Sequence, residues 1–360
     1  MDGMIELPDH RPMTRSFRAQ LLKEAQANGA VTKNAPIAAA PKPVARKPGP
    51  RPEQAAAINA NRKRVVNTLT SLLSHRSKEA SGLNRRPEEV VEDIDKLDGD
   101  NELAVVDFID DIYTYYRSAQ HQSRPIDYMG RQPEIKPKMR TMLVDWLVEV
   151  AHKFNLMPES LYLTIYILDR FLSMQVVPRK ELQLVGVTAM FIACKYEEIW
   201  APKVHDFVKI TEYTQQQILG MEKTILDRMS WNLTVPTPYV FLVRFAKAAG
   251  SDKELEHMVF FFAEMALMEY GLVSLCPSLV AASAVYAARC TLNKSPIWTE
   301  TLKYHTGFNE QQLMEHAKVL LASHAAAPQS KLKAVYSKYS TDQFAFVALQ
   351  RPVVAAQCLA

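Results

Sequence analysis

One almost entirely apolar stretch, Leu182–Ile199 (LQLVGVTAMFIACKYEEI), organises the hydrophobic pattern of the chain. Between Leu184 and Cys194 small residues alternate with large ones, and no side chain is charged. As a helix the stretch would be roughly 16 Å long, too short for the roughly 30 Å hydrocarbon core of a membrane. A helix that is apolar on all sides must be enclosed by protein. It ends in a charged cluster, 195–198, which is a candidate platform for a partner.

The same pattern recurs 95 residues later along the chain. The aligned pairs are Leu184–Ala193 with Leu279–Ala288, Gln216–Leu219 with Gln311–Met314, and Trp146–Val148 with Phe241–Val243. This period is far longer than the roughly 20–50 residues of solenoid repeats. Three matches at one spacing therefore predict two copies of an all-helical unit, each built around its own buried central helix.

Helical periodicity predicts further elements before the central helix. Val106–Tyr116 should form one amphipathic helix ahead of the two units. The segment Met139–Val150 carries two apolar stripes, one of which contains Met139, Met142, Leu143 and Trp146. Two interpretations of that stripe stay open, because methionine and tryptophan can fill a core or line an exposed groove for an apolar peptide.

Charge is distributed unevenly over the 360 residues. Residues 1–86 hold 16 Lys or Arg and 6 Asp or Glu, whereas the remainder holds 27 and 33. A basic tail of +10 thus precedes a body of −6. We expect residues 1–100 to be a disordered tail that ends in an acidic linker. Contact with nucleic acid, or nuclear import through Asn61–Arg64, is the alternative role for the tail.

Cysteine usage and the N-terminus indicate an intracellular protein. The four cysteines, Cys194, Cys276, Cys290 and Cys358, lack metal-ligand spacing, and we expect reduced thiols in a reducing compartment. The first residues resemble no secretory signal, and no apolar run reaches the roughly 20 residues of a transmembrane helix. The sequence therefore predicts a soluble protein without a membrane partner.

Motifs of catalysis are missing from the sequence. There is no phosphate-binding GxGxxG or P-loop, no HExxH and no CxxC. The adjacent Glu197 and Glu198 would point about 100° apart on a helix, which makes a poor acid–base pair. We therefore predict that the protein is not an enzyme and needs no cofactor.

Several motifs, in this order, resemble those of the cyclin family, and of plant mitotic B-type cyclins in particular. They are MRTMLVDWLVEV, YLTIYILDRFLS, KYEEIWAP, LTVPTPYVFLVRF and AASAVYAARCTLNKSPIWTETL. The resemblance implies an all-α fold of two tandem five-helix cyclin boxes preceded by an extra N-terminal helix. The implied boundaries are an N-terminal helix in 101–127, boxes in 128–236 and 237–347, and a C-terminal tail in 348–360.

The resemblance also implies a kinase-binding surface. It assigns Lys195 and Glu222 to contact with a cyclin-dependent kinase. Further apolar anchors would be Ile192, Leu226, Trp231 and Leu233, with Trp231 the best hot-spot candidate. Without the resemblance, the two charged residues would be interpreted as a solvated surface pair and the apolar four as core.

A second implied surface docks substrate motifs of the basic-x-leucine type. Its residues would be Met139, Met142, Leu143, Trp146, Glu149, Leu182 and Gln183. In this patch Glu149 would receive the basic residue and the apolar groove the leucine. Kinase substrates and inhibitors are therefore possible further partners.

The tail departs from the pattern of mitotic cyclins, which carry a destruction box, RxxLxxIxN. Here Arg18 and Leu21 satisfy RxxL, but Glu24 and Gln26 replace the apolar residue and the Asn, and no KEN triplet occurs. Recognition by a ubiquitin ligase is left open, as is an atypical or truncated N-terminus.

The function that follows from the resemblance is that of a regulatory subunit. It would activate a cyclin-dependent serine/threonine kinase at the G2/M transition, in nucleus and cytoplasm. The alternative is a tandem cyclin-fold transcription factor that binds nucleic acid. The −6 charge of the body argues against it, since a DNA-binding face should be basic.

Overall fold

The computed structural model describes residues 91–353, and in this part of the chain it contains twelve α-helices and no strand. In chain order they are α1 (Ile109–Ala119), α2 (Pro137–Lys153), α3 (Pro158–Met174), α4 (Leu182–Glu197), α5 (Val204–Lys209), α6 (Gln215–Arg228), α7 (Pro238–Ala248), α8 (Lys253–Met268), α9 (Pro277–Thr291), α10 (Glu300–Thr306), α11 (Glu310–Ala326) and α12 (Ala334–Tyr339). The predicted all-α class is confirmed. The predicted tail up to residue 90, with Arg18 and Leu21, lies outside the described residues, as does Cys358.

The repeat is visible in the positions of the helix ends. Helices α8, α9 and α11 begin 95 residues after α3, α4 and α6. Both α6 and α11 begin with a capping box, formed by Thr214 with Gln217 and by Asn309 with Gln312. The two five-helix units, α2–α6 and α7–α11, therefore repeat the same local chemistry.

Each unit is built around its apolar central helix. In the first unit α4 packs against α2, α3 and α6, and in the second α9 packs against α7, α8 and α11. The approach of α2 to α4 is especially close at Gly186, where an added Cβ would lie 2.9 Å from the Leu143 side chain. Every residue from Leu184 to Cys194 is buried, as the apolar pattern predicts.

The two units are joined by polar contacts as well as by packing. Arg140 of α2 donates to the carbonyl oxygen of Leu267 at the end of α8, over 2.9 Å. After the second unit the chain returns to the first, where α12 packs on α2 and the amide of Ala334 donates to Asp145 Oδ1. The segment after the second unit thus packs against α2 of the first unit.

The segment before the first unit contacts α7 of the second unit. A helix was predicted for 106–116, but α1 begins at Ile109, because Val105 adopts a left-handed conformation (φ 50°) and 106–108 form a 3₁₀ turn. The Tyr113 hydroxyl donates to the carbonyl oxygen of Val240 over 2.8 Å. Asp95, in the acidic segment before α1, forms ion pairs with Arg244 and Lys247 of α7.

Candidate protein-interaction site

The C-terminal end of α4 is where the buried central helix reaches the surface. Cys194 is fully buried, whereas the next residue, Lys195, is exposed. The Lys195 ammonium forms an ion pair with Glu222 of α6 and lies 4.4 Å from the centre of the Phe191 ring. The structure thus brings together the two charged residues that the resemblance assigns to a kinase. It places them on two helices that pack against each other.

The predicted charged cluster divides into an outward and an inward part. Glu198 Oε1 accepts hydrogen bonds from the Met157 amide (2.8 Å) and the Ser160 hydroxyl (2.7 Å), at the start of α3. A carboxylate at a helix N-terminus satisfies free amides and interacts favourably with the helix dipole. Glu198 therefore fixes α3 against α4, and Lys195 is the charge that faces solvent.

An exposed apolar surface continues from Lys195. It includes Tyr196, Ile199 and Trp200, and the Tyr196 hydroxyl lies 2.5 Å from Thr234 Oγ1 in the connection after α6. Trp231, in that connection, is 66% exposed. Large aromatic side chains left in solvent are typical of protein interfaces. Tyr196, Ile199 and Trp200 are not among the predicted partner residues, although their position at the charged end of a buried helix is a signal visible in the sequence.

The backbone at Trp231 is held in an unusual conformation. Helix α6 ends with the Trp231 amide donating to the Leu226 carbonyl (3.0 Å) and the Ser230 amide to Asp227 (3.2 Å), the pattern of a Schellman motif. Ser230 and Trp231 both have left-handed φ angles, 51° and 58°. Such angles cost L-residues roughly 1–2 kcal/mol each. The turn therefore projects the indole outward at a cost in backbone strain.

Not all of the predicted kinase anchors lie on this surface. Ile192 is 2% exposed and Leu226 is 7% exposed, and both belong to the core. Leu233 is half-buried and packs against the core. The helices α4 and α6 pack against each other. Ile192 and Leu226 lie in the core, where little of either side chain is accessible to a partner. Trp231 is the one of the four that is exposed.

The predicted substrate-docking patch lies on α2 and at the start of α4. Met142, Glu149 and Gln183 are exposed, and Glu149 pairs with Lys153 over 2.7 Å. Met139 and Trp146 are half-buried. Leu143 and Leu182 are buried, and Leu143 lies in the contact between α2 and α4, next to Gly186. Of the seven predicted patch residues, three are thus exposed, two are half-buried and two are buried.

A buried polar network beneath α2 went unnoticed in the sequence. Arg140 donates twice to Asp169 of α3, with both nitrogen–oxygen distances 2.7 Å, and the Tyr128 hydroxyl donates to the same carboxylate over 2.7 Å. Burial, and then the Asp169 charge, raise the pKa of Tyr128 well above its usual range. With its contact to Leu267, Arg140 fixes α2 to α3 and to the second unit.

Other chemistry is sparse in the described residues. No disulfide links Cys194, Cys276 and Cys290, and burial raises the pKa of the Cys194 thiol well above its usual range. Within residues 91–353 no three His, Cys, Asp or Glu side chains are arranged to hold a metal ion. Over the same residues, none of the helices combines the length and apolar character needed to span a bilayer.

Comparison with known proteins gives consistent matches. Residues 111–234 match the N-terminal domain of cyclins, and residues 236–352 match the cyclin C-terminal domain. Cyclin-B1-5 of Oryza sativa subsp. japonica is 58% identical over the whole of this chain and 88% of its own length. The G2/mitotic-specific cyclin S13-6 of Glycine max is 48% identical over 97% of this chain and 87% of its own length. A viral cyclin from herpesvirus saimiri superposes with a TM-score of 0.54 and 19% identity, over 62% of this chain and 98% of the viral protein.

Proposed function

The chain belongs to the cyclin family, and from that premise we propose that it binds and activates a cyclin-dependent serine/threonine kinase to drive the G2/M transition. Its similarity to relatives named B-type and G2/mitotic-specific cyclins supports a regulatory role in the cell cycle. The observation that carries the kinase proposal is the surface at the end of α4. There Lys195 and Glu222 pair across two packed helices, and the connection after the second of these helices leaves Trp231 exposed.

The mechanism we propose is selection of an active kinase conformation. A kinase transfers phosphate only when its Lys–Glu pair and activation loop are correctly positioned. A rigid surface that makes better contacts with that conformation shifts the equilibrium towards it. The regulatory subunit supplies no catalytic residue of its own. The patch on α2 would bring basic-x-leucine motifs of substrates and inhibitors to the same complex, and we propose that the complex acts in nucleus and cytoplasm.

The direct test combines association with activity. The purified full chain is immobilised, a purified plant cyclin-dependent kinase is added, and phosphorylation of a histone-type substrate is measured with and without the chain. We expect a stable complex and a large gain in phosphorylation. Binding without a gain in phosphorylation would replace activation with an inhibitory or scaffolding role. No binding to any kinase of this class would overturn the proposal.

Matched substitutions then locate the surface. Trp231→Ala should weaken kinase binding by about 30-fold if the indole is a hot spot. The control is Tyr304→Ala on α10, because Tyr304 is 64% exposed, almost as much as Trp231, but lies on the second unit. Lys195→Ala combined with Glu222→Ala should also weaken binding without unfolding the protein. Equal affinities for the Trp231 and Tyr304 variants would show that the kinase binds elsewhere.

A further inference from the structure

The three cysteines in the described part of the chain differ in their access to solvent. Cys194 and Cys290 lie within the central helices α4 and α9 and are buried, whereas Cys276 is half-buried. Cys276 is the residue immediately before α9, at the positive end of the dipole of a 15-residue helix. A thiol in this position is accessible to a reagent, and the helix end favours negative charge on its sulfur.

Two nitrogen-bearing side chains lie against the Cys276 sulfur. Arg124 donates from Nη1 to Cys276 Sγ over 3.1 Å, and Nδ1 of the exposed His121 lies 3.6 Å from the same sulfur. They precede Cys276 by 152 and 155 residues, in the segment between α1 and α2. The three side chains form a cluster of a nucleophile, a positive charge and a proton acceptor at the protein surface. None of them belongs to the residues assigned above to a kinase or a substrate.

Hydrogen bonds on both sides of the cluster hold this segment in place. Gln120 Oε1 accepts from the Ser278 amide, in the first turn of α9, over 3.1 Å. The Tyr166 hydroxyl of α3 donates to the carbonyl oxygen of Ser123 over 2.9 Å. The segment is therefore attached to α9 and to α3, and the contacts with the Cys276 sulfur are part of the folded structure.

A second arginine adds positive charge next to Arg124. Arg170 of α3 donates to the carbonyl oxygen of Arg124 over 3.3 Å, and both side chains are half-buried. Within residues 91–353 neither arginine forms an ion pair with a carboxylate. Because a guanidinium matches the geometry of a carboxylate, the two arginines favour a reagent that carries carboxylates over a neutral one.

We propose that Cys276 is a modification site that undergoes thiol–disulfide exchange with a small disulfide carrying carboxylates, the class to which oxidised glutathione belongs. The Cys276 sulfur attacks one sulfur of the reagent, a new S–S bond forms, and the S–S bond of the reagent breaks. The departing sulfur takes the electron pair of the broken bond. His121, in the tautomer with its proton on Nε2, accepts the thiol proton at Nδ1 and passes it to the departing sulfur. One disulfide is consumed and one is formed, so the step needs no other oxidant.

The test incubates the full chain with oxidised glutathione at pH 7 and follows each cysteine by peptide mass spectrometry. The reference is a synthetic peptide of residues 272–280, which carries the same thiol without Arg124 and His121. We expect Cys276 in the folded chain to react at least about threefold faster than the peptide, although it is less accessible there. The buried Cys194 and Cys290 should remain unmodified. A rate for Cys276 equal to or below that of the peptide would overturn the proposal.

Substitutions around the sulfur complete the test, and circular dichroism checks that each variant is folded. Arg124→Gln should lower the rate about three- to tenfold, and His121→Gln, a change at an exposed residue, about two- to threefold. The matched control is Arg117→Gln, because Arg117 donates to the carbonyl oxygen of His305 and not to the sulfur, and its rate should be unchanged. Equal rates for wild type and all three variants would show that Cys276 is merely exposed and would overturn the proposal.

A second reagent tests the role of the carboxylates without any substitution. The neutral hydroxyethyl disulfide is compared with oxidised glutathione, each as the ratio of the rate for folded Cys276 to the rate for the reference peptide. We expect this ratio to be at least about twofold larger for oxidised glutathione. A ratio that is equal or larger for the neutral reagent would overturn the preference for carboxylates. These measurements involve no kinase, so their outcome is independent of the proposed function.

Discussion

Replacing Asp95 by asparagine should destabilise the protein by about 2.5 kcal/mol at pH 7, the free energy that corresponds to the lowered pKa of this carboxyl group. The Asp95 carboxylate receives two hydrogen bonds from Arg244, of 2.6 and 2.7 Å, and one from Lys247 of 2.5 Å. Arg244 has a side chain that is only 7% exposed, so the pair is largely shielded from water. Asparagine retains the shape but loses the charge, and the guanidinium is then left without its counterion.

The magnitude follows from the pKa of Asp95. Its hydrogen bonds to Arg244, opposed by burial and supported by Lys247, lower the pKa from its ordinary 3.8 to about 2. At about 1.4 kcal/mol per pKa unit, this lowering corresponds to about 2.5 kcal/mol of stability above pH 5. Because the folded-state pKa is the lower one, the contribution is present above the unfolded pKa. It is lost as the pH falls through about 2.

The assay is urea unfolding of wild type and Asp95→Asn at pH 7 and at pH 3. Linkage predicts that the difference in unfolding free energy falls from about 2.5 kcal/mol at pH 7 to about 1.3 kcal/mol at pH 3. Asp98→Asn is the control, because Asp98 contacts the more exposed Lys247 over 2.7 Å, and it should cost less than about 1 kcal/mol. A difference below about 0.5 kcal/mol for Asp95→Asn at pH 7, or one that is the same at both pH values, would refute the reasoning.

Two further predictions concern the first unit. Arg140→Leu leaves the buried Asp169 carboxylate uncompensated and should lower the free energy of unfolding, measured in urea, by about 3–5 kcal/mol. Adding Asp169→Leu should recover part of that loss. A loss below about 1 kcal/mol for Arg140→Leu alone would contradict this prediction. Gly186→Ala should cost about 1–3 kcal/mol in the same measurement, since the new methyl group must displace Leu143. The matched control Gly220→Ala lies within α6 with open space around its Cβ and should stabilise by about 0.4–1 kcal/mol. Equal effects of the two alanines would show that α2 and α4 do not pack as closely as described.

The fold could be predicted because its signals are local or periodic. The uncharged run of α4 allows only a buried helix, and the 95-residue repeat transfers that conclusion to α9. The start of α1 could not be predicted, because a left-handed Val105 is not visible in a pattern of apolar residues. A single residue of this kind moves the start of a helix without changing the apolar periodicity on either side of it.

The candidate site could be predicted only in part. Lys195 and Glu222 do pair, but the same resemblance assigned Ile192 and Leu226 to a surface from which they are buried. A helix that is apolar on every side gives no sign of which residue lies nearest to solvent. Asp95 meets its partners across about 150 residues of sequence, and such pairs have no local signature.

The strained turn at Trp231 is consistent with a surface prepared before binding. Non-glycine residues keep left-handed angles only when their surroundings enforce them, and here the Schellman hydrogen bonds to Leu226 and Asp227 hold the turn. The strain is therefore already present in the free protein, which has no need to reorder this turn when a partner arrives. Because ordering loops and side chains on association costs binding free energy, a surface fixed in this way retains more of its contact energy as affinity. The buried polar network under α2 and the cap formed by Glu198 under α3 extend the same rigidity through the first unit. A partner whose own conformation is mobile would then adjust to this surface, and the proposed activation of a kinase would require this direction of adjustment.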